Sequence, residues 1–194
     1  TVESTGDVGR YTSLSFSPGG EPAISYYDGT LDDLKFAVYN GASWDLSTVD
    51  SAGDVGRHSS LAFSPGGEPA ISYYDATLDD LKVAVYNGLS WDLSTVDSTG
   101  DVGEFTSLAF SPGGEPAISY YDSTNSDLKY AVYNGASWDL STIDSTGDVG
   151  SFTSLAFSPG GEPAISYYDA TLDDLKVAVY NGASWDLSTV DSAG

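Results

Sequence analysis

The chain has 194 residues, with 6 Lys+Arg against 29 Asp+Glu, a formal net charge of −23, and neither cysteine nor methionine. That composition excludes disulfides, thiolate metal centres and cysteine nucleophiles, and so acidic a surface repels nucleic acid and anionic membranes. No stretch approaches the ~18 apolar residues of a membrane-spanning helix, so neither nucleic acid nor membrane is an expected partner.

The dominant signal is an internal repeat. Thr-Val or Thr-Ile recurs at Thr1, Thr48, Thr95, Thr142 and Thr189, each step being 47 residues. The units run 1–47, 48–94, 95–141 and 142–188, and Thr189–Gly194 begins a fifth. Of the 47 positions, 35 are identical in all four units and 12 vary. Identity that high marks a recently amplified or a designed sequence.

Unit two shows the local pattern in chain order. His58–Ser64 alternates, with Leu61 and Phe63 on one face and Ser60 and Ala62 on the other. Pro65-Gly66-Gly67-Glu68 supplies a fixed φ and residues tolerant of positive φ, hence a turn. Pro69–Asp75 is a second strand with Ile71 and Tyr73 on one face and Ala70, Ser72 and Tyr74 on the other. A polar loop, Thr77–Asp80, leads to a third strand at Leu81–Tyr86. Asn87-Gly88 signals a type I′ hairpin, and Trp91–Val96 is the fourth strand. Ser98–Gly103 connects to the next unit.

Four alternating strands joined by tight turns make an antiparallel meander. Each sheet carries bulky apolar residues on one face and Ala, Ser and Tyr on the other, whereas a sheet with one wet face alternates apolar with charged residues. Two semi-buried faces suit sheets stacked around an axis. The expected fold is therefore all-β: a β-propeller of four-stranded antiparallel blades, one 47-residue repeat per blade and four blades per chain. The competitors are a β-sandwich-like array and a solenoid, whose parallel coils span only ~20–30 residues.

The string Thr-Ser-Leu-Ala-Phe-Ser-Pro-Gly-Gly-Glu-Pro-Ala-Ile-Ser-Tyr-Tyr-Asp, followed by Asp-Leu-Lys and later Ala-Val-Tyr-Asn-Gly-x-Ser-Trp, resembles repeats of uncharacterised bacterial sialidase-like propellers. The resemblance spans every unit and extends to designed symmetric propellers. The Ser-x-Asp-x-Gly-x-Thr-Trp box of sialidases is missing.

Four units could close as a four-bladed ring, or two chains could share an eight-bladed one. Small residues at Ser13, Ser15, Ala62, Ala109 and Ala156 permit close approach of blades and favour the larger ring, a homodimer. Thr189–Gly194 would then complete the last outer strand and leave Thr1–Ser4 spare or paired at the seam.

Enzyme signatures are weak. The single His58 stands where other units have Tyr11, Phe105 and Phe152, as an aromatic substitute. Arg10 and Arg57 share one repeat position, too few for a carboxylate-binding arginine cluster. A glycosidase needs two convergent carboxylates in one asymmetric pocket, and here each carboxylate is multiplied by symmetry. The expected function is a non-enzymatic scaffold without a dedicated ligand, with a multivalent glycan- or protein-binding propeller as the alternative. For that alternative the loop carboxylates Asp28, Asp32, Asp33, Asp75, Asp79, Asp80, Asp169, Asp173 and Asp174 are candidate Ca²⁺ ligands, since Ca²⁺ takes 6–8 oxygens. Tyr27, Tyr74, Tyr121 and Tyr168 are candidate sugar-stacking residues.

Overall fold

The computed structural model describes residues 1–192. It contains sixteen strands and, among the described residues, no helix. Blade one is β1 (Val8–Phe16), β2 (Pro22–Asp28), β3 (Asp33–Tyr39) and β4 (Trp44–Asp50). Blade two is β5 (Val55–Phe63), β6 (Pro69–Asp75), β7 (Asp80–Tyr86) and β8 (Trp91–Asp97). Blade three is β9 (Val102–Phe110), β10 (Pro116–Asp122), β11 (Asp127–Tyr133) and β12 (Trp138–Asp144). Blade four is β13 (Val149–Phe157), β14 (Pro163–Asp169), β15 (Asp174–Tyr180) and β16 (Trp185–Asp191). Each sheet is an antiparallel meander with its strands in sequence order.

Two local expectations need correction. The first strand of each blade starts earlier than alternation indicates, at Val55 in blade two instead of His58. The Gly-Asp-Val-Gly segment reads as a connector, yet Val55, Val102 and Val149 are fully buried and extend the strand across two register shifts. The Asn-Gly hairpin is also not type I′, which needs positive φ at both central residues. Only Gly88 has it, and Tyr86 pairs with Trp91 across a four-residue loop. Asn87 Oδ1 accepts from the Leu89 and Ser90 N–H groups at 2.9 Å each, so the asparagine side chain folds the loop.

The blades are out of phase with the sequence units. Each outer strand runs past the unit boundary to its terminal aspartate, Asp50 in β4. There a register shift between Leu34 and Lys35 leaves Val49 as a bulge, and Val49 packs among Val55, Leu61, Ile71 and Tyr73 of blade two. The same bulge recurs in β12 and at the ends of β8 and β16. Thr189–Asp191 belongs to β16 in this way, and residues 193 and 194 lie outside the described residues.

Packing runs blade to blade. The innermost strands β1, β5, β9 and β13 lie side by side, and three apolar clusters fill the spaces between successive blades. Glycine sets the spacing. Gly103 has φ +107°, and a Cβ there would lie 2.7 Å from the Leu81 Cα of blade two. We expect Gly103→Ala to cost about 2–4 kcal/mol in urea unfolding, from left-handed strain plus overpacking. Gly135→Ala, with φ +94° but nothing within 4 Å, should cost only the strain, about 1 kcal/mol.

Candidate functional site

Each seam between blades is closed by a buried carboxylate. Asp50 Oδ2 accepts from the Tyr73 hydroxyl at 2.7 Å and from Lys82 Nζ at 2.9 Å, both in blade two. Asp97 takes Tyr120 (2.8 Å) and Lys129 (2.5 Å), and Asp144 takes Tyr167 (2.8 Å) and Lys176 (2.6 Å). Lys82 also lies 3.4 Å from Asp75 Oδ2, an atom with no other polar partner. Burial by itself would raise the Asp50, Asp97 and Asp144 pKa values, but the lysine and tyrosine donors and a backbone N–H outweigh it and hold all three below the ordinary range.

Outside this apolar and ionic seam, a groove opens between neighbouring blades. Between blades one and two it measures about 620 Å³ and is lined by Phe36, Val38, Phe63, Glu68, Tyr86 and Trp91. Between blades three and four the equivalent groove measures about 580 Å³, with Tyr130, Val132, Phe157, Glu162, Tyr180 and Trp185. Trp91 opens β8, half-buried, and its ring meets Phe36 of the preceding blade edge-on at 5.2 Å and Tyr86 of its own blade at 5.4 Å. Trp185 sits likewise against Tyr130 (5.3 Å) and Tyr180 (5.5 Å). The indole is thus fixed by two aromatic neighbours while part of it faces the groove. Its polar companions are Asp45, Ser47, Ser90 and Glu68 in the first groove.

The tyrosines singled out from sequence lie elsewhere. Tyr27 and Tyr74 are buried, and Tyr121 and Tyr168 are half-buried. The Tyr27 hydroxyl lies 2.6 Å from Asp32 Oδ1 and 2.9 Å from Asp54 Oδ1 of the next blade. Tyr74 sits 2.9 Å from both Asp79 and Asp101, and Tyr121 is 2.8 Å from Asp148. Burial and these carboxylates push their hydroxyl pKa values up. Tyr27, Tyr74 and Tyr121 bolt one blade to the next, whereas among the described residues Tyr168 meets only Asp173 of its own blade.

The acidic-loop carboxylates are largely engaged by the protein itself. Asp28 Oδ1 is taken by the Thr30 and Leu31 N–H groups, and Asp75 and Asp169 repeat this with Thr77 and Leu78 and with Thr171 and Leu172. Asp32, Asp79 and Asp173 adopt left-handed φ near 60° and hold tyrosine hydroxyls. Asp33, Asp80 and Asp174 are buried strand ends facing Asp28, Asp75 and Asp169 across the ladder. Among the described residues no three His, Asp or Glu side chains are placed to hold a metal ion. We expect EDTA or millimolar Ca²⁺ to move the melting temperature by less than about 1 °C, since an unbound ligand adds no linkage stabilisation.

Sequence reasoning missed one further feature. Tyr11, His58, Phe105 and Phe152 all adopt left-handed φ of 50–55° at the strand bulges. The turn stacks their rings in a row with centroids 4.6, 4.6 and 4.5 Å apart, beside a shallow recess of about 300 Å³. Burial lowers the His58 pKa, with Glu104 opposing. The ring-bearing side chain at one repeat position, Tyr11, His58, Phe105 and Phe152, was the available signal.

No protein-family model and no curated protein matches the sequence. Solved structures do. An arginine-to-alanine triple mutant of AofleA from Arthrobotrys oligospora superposes with TM-score 0.69 at 18% identity, over 97% of this chain and 61% of that one. A mutant of Aleuria aurantia lectin AAL in complex with Fucα1-6GlcNAc gives 0.62 at 18%, over 100% and 65%. Hadza microbial sialidase Hz136 gives 0.67 at 11%, over 96% and 47%. The fold is a β-propeller. The chain spans less than two thirds of each of these neighbours.

The carboxylates also dictate how the propeller responds to acid. Asp50, Asp97 and Asp144 are held low, so their contribution is present above about pH 4 and is lost as pH falls through their folded values. Burial holds Asp33, Asp80 and Asp127 high, so they oppose folding at neutral pH and are relieved as they protonate. The melting temperature should therefore fall as pH drops below about 4, with protonation of Asp33, Asp80 and Asp127 blunting the upper edge of that fall. A scanning-calorimetry series in constant ionic strength checks this profile.

Proposed function

We propose that the protein is a non-enzymatic, multivalent binding propeller that takes neutral saccharides in the grooves between its blades. One observation carries the reading: the same aromatic groove, with a fixed and partly open indole beside hydroxyls and a carboxylate, is built twice from repeat-equivalent residues. An apolar ring face receives the C–H face of a sugar, and neighbouring oxygens accept from its hydroxyls. A scaffold without a ligand gives no role to that opening.

Charge narrows the class. The chain carries a formal −23, and the groove polar groups are carboxylates and hydroxyls without a cation. Among the described residues, five of the six Lys and Arg side chains lie in ion pairs: Arg10, Arg57, Lys82, Lys129 and Lys176. Sialylated and uronate sugars would meet repulsion without a compensating donor. The lectin neighbour in complex with Fucα1-6GlcNAc agrees with a neutral ligand. The non-enzymatic part rests on symmetry, which repeats each carboxylate instead of pairing two unlike ones at a single centre.

A glycan array should show binding to neutral saccharides and none to sialylated ones. In calorimetry with an array hit, Trp91→Ala combined with Trp185→Ala should weaken binding at least ~10-fold, the equivalent of losing one good ring contact per site. An empty array, or affinity unchanged by the double substitution, would overturn the proposal.

A further inference from the structure

The first and last blades each leave open a face that every internal blade has covered. On blade one, Leu14 is 61% exposed, whereas its equivalents Leu61, Leu108 and Leu155 are 5–7% exposed. On blade four, Leu175 is 45% exposed where Leu34, Leu81 and Leu128 are fully buried. Val190 is 59% exposed where Val49 and Val96 are buried. No hydrogen bond among the described residues joins blade four to blade one.

The polar atoms of the missing seam are also divided between the two faces. Blade four ends in Asp191, the exposed equivalent of Asp50, which among the described residues has neither a tyrosine nor a lysine partner. Blade one presents Tyr26 and Lys35, the equivalents of Tyr73 and Lys82. Among the described residues Lys35 has no carboxylate within 4.0 Å and donates instead to Thr48 Oγ1 at 3.1 Å. Glu3, the repeat equivalent of Asp50, accepts from Tyr26 at 2.5 Å as a stand-in. Gly9 completes the match. A Cβ at Gly56, Gly103 or Gly150 would strike the leucine of the preceding blade, but at Gly9 nothing lies within 4 Å. That is the space a Leu175 would fill.

We propose that the blade-four face binds the blade-one face of a second copy of this chain, and that two such seams close an eight-bladed ring. In each seam Asp191 displaces Glu3 and accepts from Tyr26 and Lys35 of the other copy, and Tyr168 gains its Asp7. The occupant is specified by continuity: this interface already occurs three times inside the chain, between residues identical or nearly so. Whole copies of the four-bladed 194-residue chain make rings of four, eight or twelve blades. The four-bladed ring is not formed, and propellers typically hold four to eight blades. The head-to-tail contact is heterologous and closes by rotation. This inference is independent of the saccharide reading, though each new seam would add one groove.

Light scattering after size exclusion of the 194-residue chain should give twice its 20.2 kDa mass. A monomer at tens of micromolar, or an open-ended polymer, would overturn the proposal. Asp191→Lys and Val190→Asp alter exposed side chains, so circular dichroism should stay unchanged. Each should raise the dimer dissociation constant more than ~100-fold by leaving a desolvated partner unmatched. A mixture of the Asp191→Lys chain with a Lys35→Glu chain restores opposite charges at one seam and keeps the native pair at the other. It should recover a one-to-one heterodimer that neither variant forms alone. A dimer indifferent to all three substitutions would place the contact elsewhere.

Discussion

A buried carboxylate shared between a tyrosine and a lysine of the next blade holds this architecture together. Asp50, Asp97 and Asp144 are each nearly inaccessible and each carries a donor from two different strands of the neighbour. A lone buried charge is costly, and removing one partner of a buried pair typically costs about 3–5 kcal/mol. The cradle therefore penalises any packing in which a blade lacks its neighbour. It converts four sheets, each with two semi-apolar faces, into an ordered row. Lysine is concentrated in these cradles. Three of the four lysines are held there, and the fourth stands where a cradle is incomplete.

The same cradle explains the phase shift between repeat and blade. The outer strand must reach the next sheet to deliver its aspartate, so it bulges at its penultimate residue and ends beyond the Thr-Val boundary. The bulge places a valine in the neighbouring apolar cluster and the aspartate under the tyrosine in one step. Each blade is consequently finished by residues whose partners lie in the following unit. Covalent order and packing order interlock, as in other arrays whose units contact only their neighbours.

Much of the fold was legible because alternation, turn residues and period all indicate the same meander. Ile71 and Tyr73 pointed inward as their spacing implied, and both are fully buried. Strand starts were less legible. Val102 follows Gly-Asp and reads as a connector, yet it pairs with Asp122 across the ladder and is buried against the preceding blade. The aromatic side chains are hard to rank in sequence for a related reason. Tyr27 and Trp91 look equally available in sequence, but Tyr27 lies between two aspartates of successive blades, and Trp91 remains partly open at a groove edge. A groove formed by Phe36 and Trp91 joins positions in different units, and no pattern within one unit reveals it. The acidic loops are ambiguous in sequence because a carboxylate that folds its own turn has the same signature as one that waits for a cation.

Near-identity of the units has a physical consequence beyond economy. When every seam is made of the same residues, any free face is complementary to any free face of the opposite kind. The internal seams then compete with external ones for the same partners, and only covalent linkage decides between them. A linked blade meets its neighbour at an effective concentration far above that of a separate chain, so the three internal seams form first. The variable positions fall mostly outside the cradle: 10, 11 and 12 at the aromatic row, 29, 31 and 32 in the loops, and 36 and 42 beside the groove. Within the seams most exchanges are conservative, Val49 and Val96 against Ile143 and Ser59 against Thr106 and Thr153, as expected if blade-to-blade packing is the constraint under which the repeats remain alike.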